Sequence, residues 1–91
     1  MVIEKSAVAG SFESSDVFVE VAPKINGIEI EVQSVVYQQF GKAIEKTVRD
    51  VLNEFEVKSA SVKLTDHGAL DCTIRARVET ALKRTGGGTA E

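Results

Sequence analysis

The sequence predicts an α+β fold: a two-layer sandwich in which one long helix packs on one face of a mostly antiparallel four-stranded sheet. Two observations indicate this fold. Four segments alternate apolar and polar residues with the period of a half-buried strand. Between the second and the third of these segments, apolar residues recur every three or four positions, as they do on one face of a helix. The predicted element order is therefore ββαββ.

Residues 17–22 and 28–33 form the first predicted pair of strands. Asn26-Gly27 lies between them and is the dipeptide that best tolerates the positive φ angles of a type I′ hairpin turn. We therefore expect the two strands to pair with each other. Pro23 lacks a backbone N–H, which predicts that the first strand lies at a sheet edge or is bulged at this position.

The helix that follows is predicted to be amphipathic and about five turns long. Its apolar face consists of Val36, Phe40, Ala43, Ile44, Val48, Val51, Leu52 and Phe55. Ser34 is the predicted N-cap, because its hydroxyl can accept a bond from a free backbone N–H. Gly41 costs about 1 kcal/mol relative to alanine inside a helix, which predicts close approach of another backbone or of a partner at this point.

The second predicted hairpin joins a strand at residues 60–65 to a strand at residues 70–79 through a short turn. The latter strand has the longest alternation in the chain. Its period places Leu70 and Cys72 on the core face of the sheet, and it places Arg75 and Arg77 on the exposed face.

The 91 residues have room for one small domain. We assign residues 1–84 to this domain, which begins with a loop segment at residues 1–16. Ala81 and Leu82 are expected to start a short closing helix. Residues 85–91 are rich in glycine and have no apolar anchor, which predicts a flexible C-terminal tail.

Composition excludes several classes of protein. The net charge of −3 argues against a nucleic-acid partner, because nucleic-acid readers usually carry a basic excess. The longest apolar runs have three residues, too few to cross a membrane. Glu4 and Lys5 stand where a signal peptide would be apolar, so we expect a cytoplasmic protein. One cysteine and one histidine cannot supply a disulfide or the four ligands of a structural zinc.

Few residues offer catalytic chemistry. His67 and Cys72 are the candidates for a base and a nucleophile, but the predicted pattern places Cys72 in the core and His67 in a turn. A buried structural cysteine and a turn histidine are the favoured interpretation. The glycine run at 86–88 is not followed by the Lys-Ser/Thr of a phosphate-binding loop. The residues therefore favour a carrier or binding module over an enzyme.

The segment at residues 7–16, AVAGSFESSD, consists largely of small residues, is rich in hydroxyl groups and precedes the first clear strand. One interpretation is a polar turn that leads into the strand. The other is a modification site, because a loop serine can enter the site of a modifying enzyme without unfolding the domain. The residues by themselves leave both interpretations open.

Three blocks resemble the acyl carrier protein, or gamma subunit, of citrate lyase. They are residues 7–17 (AVAGSFESSDV), 39–44 (QFGKAI) and 68–77 (GALDCTIRAR), in the order and at the spacing of that family, and the resemblance extends to about Leu82. In that family the first serine of Glu-Ser-x-Asp carries the prosthetic group 2'-(5''-phosphoribosyl)-3'-dephospho-CoA through a phosphodiester. The resemblance implies that Ser14 is the attachment residue.

Some residues near Ser14 differ from the family pattern or have less defined roles. Ser11 and Phe12 stand where relatives have threonine and leucine, and Ser15 places a second hydroxyl beside the acceptor. Ser15 and Asp16 are therefore possible accessory residues. Asp16 either orients the transferase or ends the loop as a turn residue, and the turn role is the favoured interpretation.

Arg75 and Arg77 are also possible accessory residues. They either clamp phosphates of the prosthetic group or dock an acidic partner, or they are ordinary solubilising charges.

The resemblance also implies a role and partners. The thiol of the arm holds an acetyl group, the alpha subunit exchanges acetyl for citryl, and the beta subunit cleaves the citryl thioester to oxaloacetate. A prosthetic-group transferase loads the arm, and the chain itself is a non-catalytic subunit. Similar carriers serve citramalate lyase and, more distantly, malonate decarboxylase. An unmodified protein-interaction module and a small enzyme using His67 and Cys72 remain as alternatives.

Overall fold

A computed structural model describes residues 1–86 of the chain. Residues 87–91, which form most of the predicted tail, lie outside the described residues. The described part contains four strands and two helices: β1 (Ala7–Gly10), β2 (Val17–Ala22), β3 (Ile28–Ser34), α1 (Tyr37–Glu54), β4 (Ala60–Asp66) and α2 (Asp71–Arg84). The α+β class and the two-layer architecture are as predicted, but the element order is βββαβα.

The four strands form one mixed sheet in the order β1-β2-β4-β3. β2 pairs antiparallel with β1 on one side and with β4 on the other, whereas β3 pairs parallel with β4. α1 connects β3 to β4, because parallel neighbours need a crossover and cannot be joined by a tight turn. The prediction of a mostly antiparallel sheet with one long helix is therefore wrong in its topology and in its number of helices.

The predicted hairpin between β2 and β3 does not form. Gly27 adopts a positive φ of 87°, but β4 lies between the two strands. Val62 of β4 is paired with Val21 on one side and with Ile30 on the other. A turn dipeptide shows only that the chain can reverse direction. Placing the apolar strand β4 between β2 and β3 buries more apolar surface than a direct pairing of β2 with β3. Pro23 lies just after the end of β2, which is an inner strand and not an edge.

Residues 71–84 form helix α2 and not the predicted strand. Ile74, Val78, Ala81 and Leu82 are buried, and their spacing of four, three and one matches one face of a helix. Cys72 is exposed in the first turn of this helix and does not lie on a core face. The alternation of apolar residues along this segment was compatible with both periods, and packing against the sheet selected the helix.

The structure also revises the chain ends and the start of α1. Residues 1–16, predicted as a loop segment, include β1, an edge strand that pairs with β2. Thr85, the first residue of the predicted tail, is buried and donates a hydrogen bond from its hydroxyl to the carbonyl of Leu82 at 2.6 Å. Ser34 is not the N-cap of α1, because the helix begins at Tyr37 and Val36 occupies the cap position. The close approach at Gly41 is made by the ring of Tyr37, one helical turn earlier.

The core lies between the sheet and the two helices. Its largest fully buried side chains include Leu64 of β4 and Leu82 of α2. The end of β1, the start of β2 and the ends of β3 and β4 lie at one end of the sheet, since Val17 and Ser34 are both paired with Asp66. Both helices begin there. No helix within residues 1–86 has the length and apolar character needed to cross a membrane.

Candidate functional site

The part of the hydroxyl-rich segment that contains its serines, residues 11–16, lies at this end of the sheet as the connection between β1 and β2. We call residues 11–16 the attachment loop, after the role that the resemblance implies for Ser14. Gly10, the last residue of β1, starts the loop with a φ of 96°, and a β-carbon at this position would lie 1.8 Å from the carbonyl oxygen of Val17. The backbone of the opposite strand therefore leaves no space for a side chain, and only glycine fits where the loop begins.

Ser14 lies at the tip of a tight turn within the attachment loop. The N–H of Asp16 donates to the carbonyl of Glu13 at 3.1 Å, which closes a turn with Ser14 and Ser15 at its two central positions. Ser15 has a φ of 64°, in the left-handed region. Both serines are exposed. The turn presents the hydroxyl of Ser14 to solvent beside a backbone that is closed by hydrogen bonding.

Asp16 anchors the attachment loop to the rest of the domain. Its carboxylate accepts hydrogen bonds from the Ser11 hydroxyl at 2.6 Å and from the N–H of Val17 at 2.7 Å. Arg77 of α2 donates to both carboxylate oxygens, from Nε and Nη2, at 3.0 Å each. These donors, led by Arg77 and Ser11, lower the pKa of Asp16 to about 2. A planar guanidinium thus joins the loop to a helix that is 61 residues away in the chain.

His67 fastens the other side of the attachment loop. Its carbonyl accepts a bond from Ser15 N–H at 2.8 Å, and its N–H donates to the carbonyl of Asp16 at 2.9 Å. The ring of Phe12 packs against Phe18 at a centroid distance of 4.6 Å and meets the His67 ring edge-on at 6.1 Å. The Nε2 atom of His67 is buried and has no hydrogen-bond partner within residues 1–86. The loop is therefore held by backbone bonds, an ion pair and ring packing.

The chain is similar in sequence to proteins of one known family. A sequence model of a family described as "Malonate decarboxylase delta subunit (MdcD)" matches residues 4–85. The citrate lyase acyl carrier protein of Treponema denticola is 50% identical over 84 residues, which cover 92% of this chain and 95% of that protein. The chain belongs to the citrate lyase acyl carrier protein family. The protein of the same name from Streptococcus mutans is 49% identical, with 92% of this chain and 83% of that protein covered.

The fold of this family member also occurs in a solved structure. A chain of the Pseudomonas malonate decarboxylase hetero-tetramer, solved in complex with malonate, superposes with a TM-score of 0.73 over 92% of this chain and 87% of that chain. Its sequence identity of 18% limits the likeness to the fold. As an acyl carrier protein, the chain is a non-catalytic carrier component, which confirms the prediction that it is not an enzyme.

The acyl carrier domain brings together only some of the residues that the sequence singled out. Ser14, Ser15, Asp16 and Arg77 meet at the attachment loop. Arg75 points elsewhere: its guanidinium binds Glu54 of α1 at 2.7 Å, and this bond raises its pKa. Both arginines lie on α2 and not on an exposed sheet face, and both are engaged in ion pairs with other parts of the chain. A role in clamping phosphates stays a prediction.

The sequence did not favour a catalytic dyad of His67 and Cys72. Within residues 1–86, Nε2 of His67 is buried without a hydrogen-bond partner, and Cys72 is exposed in the first turn of α2. No group of three or more histidine, cysteine or acidic side chains within these residues is placed to hold a metal ion. Sequence reasoning missed Gly10 and the pairing of Asp16 with Arg77. A glycine at the end of a small-residue run could have indicated the first, but no local signal indicates the second.

The ion pair makes the stability of the carrier domain depend on pH. The carboxylate of Asp16 has a pKa of about 2 in the folded chain and an ordinary value of 3.8. Its contribution is therefore complete above pH 3.8 and is lost as the pH falls towards 2. We expect Asp16→Asn to lower the free energy of unfolding at pH 7 by about 1–2 kcal/mol, since solvent partly screens Arg77.

Urea unfolding of both proteins between pH 7 and pH 2 would measure this dependence. The difference between them should shrink as the pH falls below the ordinary pKa of 3.8. Asp50→Asn is the matched control, because Asp50 pairs with Lys46 on the exposed surface of α1 and should contribute less than about 0.5 kcal/mol. A pH-independent loss in Asp16→Asn would contradict the ionic role of this carboxylate.

Proposed function

We propose that the chain carries acetyl and citryl groups within a citrate lyase complex, as thioesters on a 2'-(5''-phosphoribosyl)-3'-dephospho-CoA group joined to Ser14 by a phosphodiester. One observation carries this proposal. In a member of the citrate lyase acyl carrier protein family, the serine of the Glu-Ser-x-Asp motif is exposed at the tip of a turn whose flanking residues are fastened.

The residues around Ser14 suit a covalently attached arm. Its hydroxyl is open to a modifying enzyme, whereas Ser11 uses its hydroxyl to bind Asp16. Both carboxylate oxygens of Asp16 are occupied by donors, so Arg77 offsets its negative charge beside the proposed phosphodiester. The group supplies a thiol that forms acyl thioesters. The domain supplies a firm base, so movement is confined to the arm.

A rigid domain with a mobile prosthetic group suits the transfer of acyl groups between two partner sites. Tethering raises the effective concentration of the acyl group at each partner site, which replaces two diffusional encounters by local ones. The proposed partners are the alpha subunit, which exchanges acetyl for citryl, and the beta subunit, which cleaves the citryl thioester. A prosthetic-group transferase would load Ser14. The proposal places this work in the cytoplasm, with no nucleic acid or membrane involved.

A malonate decarboxylase complex is the second candidate. It is favoured by the description of the matching family model and by the fold of the Pseudomonas hetero-tetramer. The two candidates share the attachment chemistry and differ in the acyl group. Loaded chain whose arm thiol has been acetylated, incubated with the alpha subunit of citrate lyase and citrate, should release acetate and acquire a citryl mass. If it does not, and the same acetylated chain exchanges acetyl for malonyl with a malonate decarboxylase transferase and malonate, the second candidate is favoured.

The test of attachment is intact mass with peptide mapping, after co-expression with a transferase that is shown to be active on a known carrier. We expect the added mass on the peptide that contains Ser14, and none in Ser14→Ala. Ser15→Gly is the matched control: it removes the neighbouring hydroxyl, and glycine adopts the positive φ of this position freely. It should still be loaded.

Ser14→Ala should also leave the melting temperature almost unchanged, because Ser14 is exposed. Loading of Ser14→Ala, or loss of loading in Ser15→Gly with a retained fold, would move the attachment site away from Ser14. An unmodified wild-type chain would remove the carrier mechanism and favour an interaction module.

A further inference from the structure

An apolar groove lies between the first halves of the two helices. Its walls are formed by Phe40, Ala43 and Ile44 of α1, by Ala69 and Leu70 before α2, and by Ile74 of α2. Its volume is about 430 Å³. Phe40 is 53% exposed and Leu70 is 70% exposed, although both are large apolar side chains. The sequence placed both residues towards the core, whereas the structure leaves them open to solvent on the two walls of the groove.

The groove adjoins the attachment loop through the segment that follows β4. His67 in this segment is bonded through its backbone to Ser15 and Asp16. The next residue, Gly68, lines the groove. It has a φ of 92°, and apart from its own atoms and those of its chain neighbours, no atom of residues 1–86 lies within 4 Å of the place that a β-carbon would occupy. Gly68 therefore lies between the attachment loop and the groove, without a side chain to separate them. It directly follows His67, whose carbonyl binds Ser15.

The chemistry of the groove selects an uncharged occupant. Its volume lies within the range of about 300–1,000 Å³ that is typical of small-molecule sites, and its walls are mostly apolar. Two carboxylates border it. Asp66 accepts bonds from the Ser34 hydroxyl and from Ala69 N–H, and Asp71 accepts one from the Thr47 hydroxyl. These acidic groups repel phosphates, which therefore stay on the side of the attachment loop.

We propose that this groove is the resting site of the pantetheine part of the arm attached to Ser14, which holds the neutral chain against Phe40 and Leu70 between visits to partner sites. This inference rests on the proposed function. Pantetheine is uncharged and combines a dimethyl-substituted carbon with amide groups, which matches apolar walls bordered by hydrogen-bond acceptors. The tether favours this occupant over a free ligand, because attachment at Ser14 raises its local concentration beside the groove.

Methyl NMR on isoleucine-labelled chain tests the proposal, with loading at Ser14 first verified by mass. Ile44 and Ile74 line the groove, whereas Ile3 and Ile25 lie towards the opposite end of the sheet. On comparison of loaded with unloaded chain, the methyl signals of Ile44 and Ile74 should shift, and those of Ile3 and Ile25 should stay in place. Loaded chain in which the methyl signals of Ile44 and Ile74 stay in place would overturn the proposal.

Leu70→Ser provides a second measurement. Leu70 is exposed and occupies the N-cap of α2, a position that favours serine, so the variant is expected to fold and to be loaded. It should reduce the shifts of Ile44 and Ile74 on loading. Ile25→Ser is the matched control, because Ile25 is fully exposed outside the groove, and it should leave those shifts unchanged.

The outcomes separate the two proposals. A chain without added mass on Ser14 contradicts the proposed function, and with it this inference. A chain that is loaded, yet shows the same shifts in Leu70→Ser as in wild type, contradicts the groove alone. Shifts at Ile44 and Ile74 that appear only after a partner subunit is added would identify the groove as a protein-docking surface and would also overturn the proposal.

Discussion

Gly10→Ala is expected to be the most damaging single substitution near the attachment loop. Its β-carbon would lie 1.8 Å from the carbonyl oxygen of Val17, and Gly10 has a φ of 96°. The opposing atom belongs to the backbone of the strand paired with β1, so a side-chain rotation cannot relieve the overlap. We expect a loss of about 3 kcal/mol or more in the free energy of unfolding, since strain in φ and overpacking add.

Gly27→Ala separates the cost of backbone strain from the cost of overpacking. Gly27 has a φ of 87°, close to that of Gly10, but in the described part of the chain no atom beyond its own and those of its chain neighbours lies within 4 Å of the β-carbon position. It should therefore cost only the backbone strain, on the order of 1 kcal/mol. Denaturant unfolding of the two variants measures the difference. Equal losses would show that the carbonyl of Val17 moves aside and that the start of the attachment loop is pliable.

Loading should respond to Gly10→Ala as well. Moving the end of β1 displaces the turn that carries Ser14, so a transferase would meet an altered loop. Intact mass after co-expression should show a reduced loaded fraction for Gly10→Ala and a wild-type fraction for Gly27→Ala, at a temperature where both are folded.

Leu64→Ala is expected to have the second large effect. Leu64 lies in β4, which is paired on both sides, and none of its surface is exposed. Truncation leaves a cavity and should lower the free energy of unfolding by about 2–5 kcal/mol. A domain of this size has a total of about 5–15 kcal/mol, so the variant is expected to be close to unfolding under mild denaturing conditions.

Leu70→Ala makes the same chemical change at a position that is 70% exposed. It should cost less than about 0.5 kcal/mol, because little surface is buried and no cavity forms. Thermal and urea unfolding of the pair provide the measurement. A similar cost for both would mean that Leu70 is covered in solution, which would contradict the open groove on which the resting site of the arm depends.

Some elements are predictable from the sequence because their pattern admits one period. Ile44, Val48 and Val51 are spaced by four and three residues, which places them on one face of a helix but on both faces of a strand. All three are buried in α1. Residues 60–65 alternate strictly, and Ala60, Val62 and Leu64 are buried in β4. Local patterning is enough here, since one face of each element must be covered by apolar contacts.

Other elements admit two periods. Ile74 and Val78 are four residues apart. This spacing is an even number, which places both on one face of a strand, and it is about one helical turn, which places both on one face of a helix. The charges at the ends agree with a helix: Asp71 lies in its first turn, and Lys83 and Arg84 lie in its last turn, where they complement the helix dipole. The prediction rested on the alternation alone, and it placed Cys72 and Leu70 in the core as a result.

The sequence by itself determined the α+β class and the apolar faces of α1, β2, β3 and β4, and it singled out the segment around Ser14. Tertiary structure decided that β4 separates β2 from β3, that residues 71–84 are helical, and that Arg77 holds Asp16. Strand order and long-range ion pairs depend on which arrangement buries the most apolar surface while satisfying backbone and charged groups. That balance is a property of the whole chain, and no local spacing of residues records it.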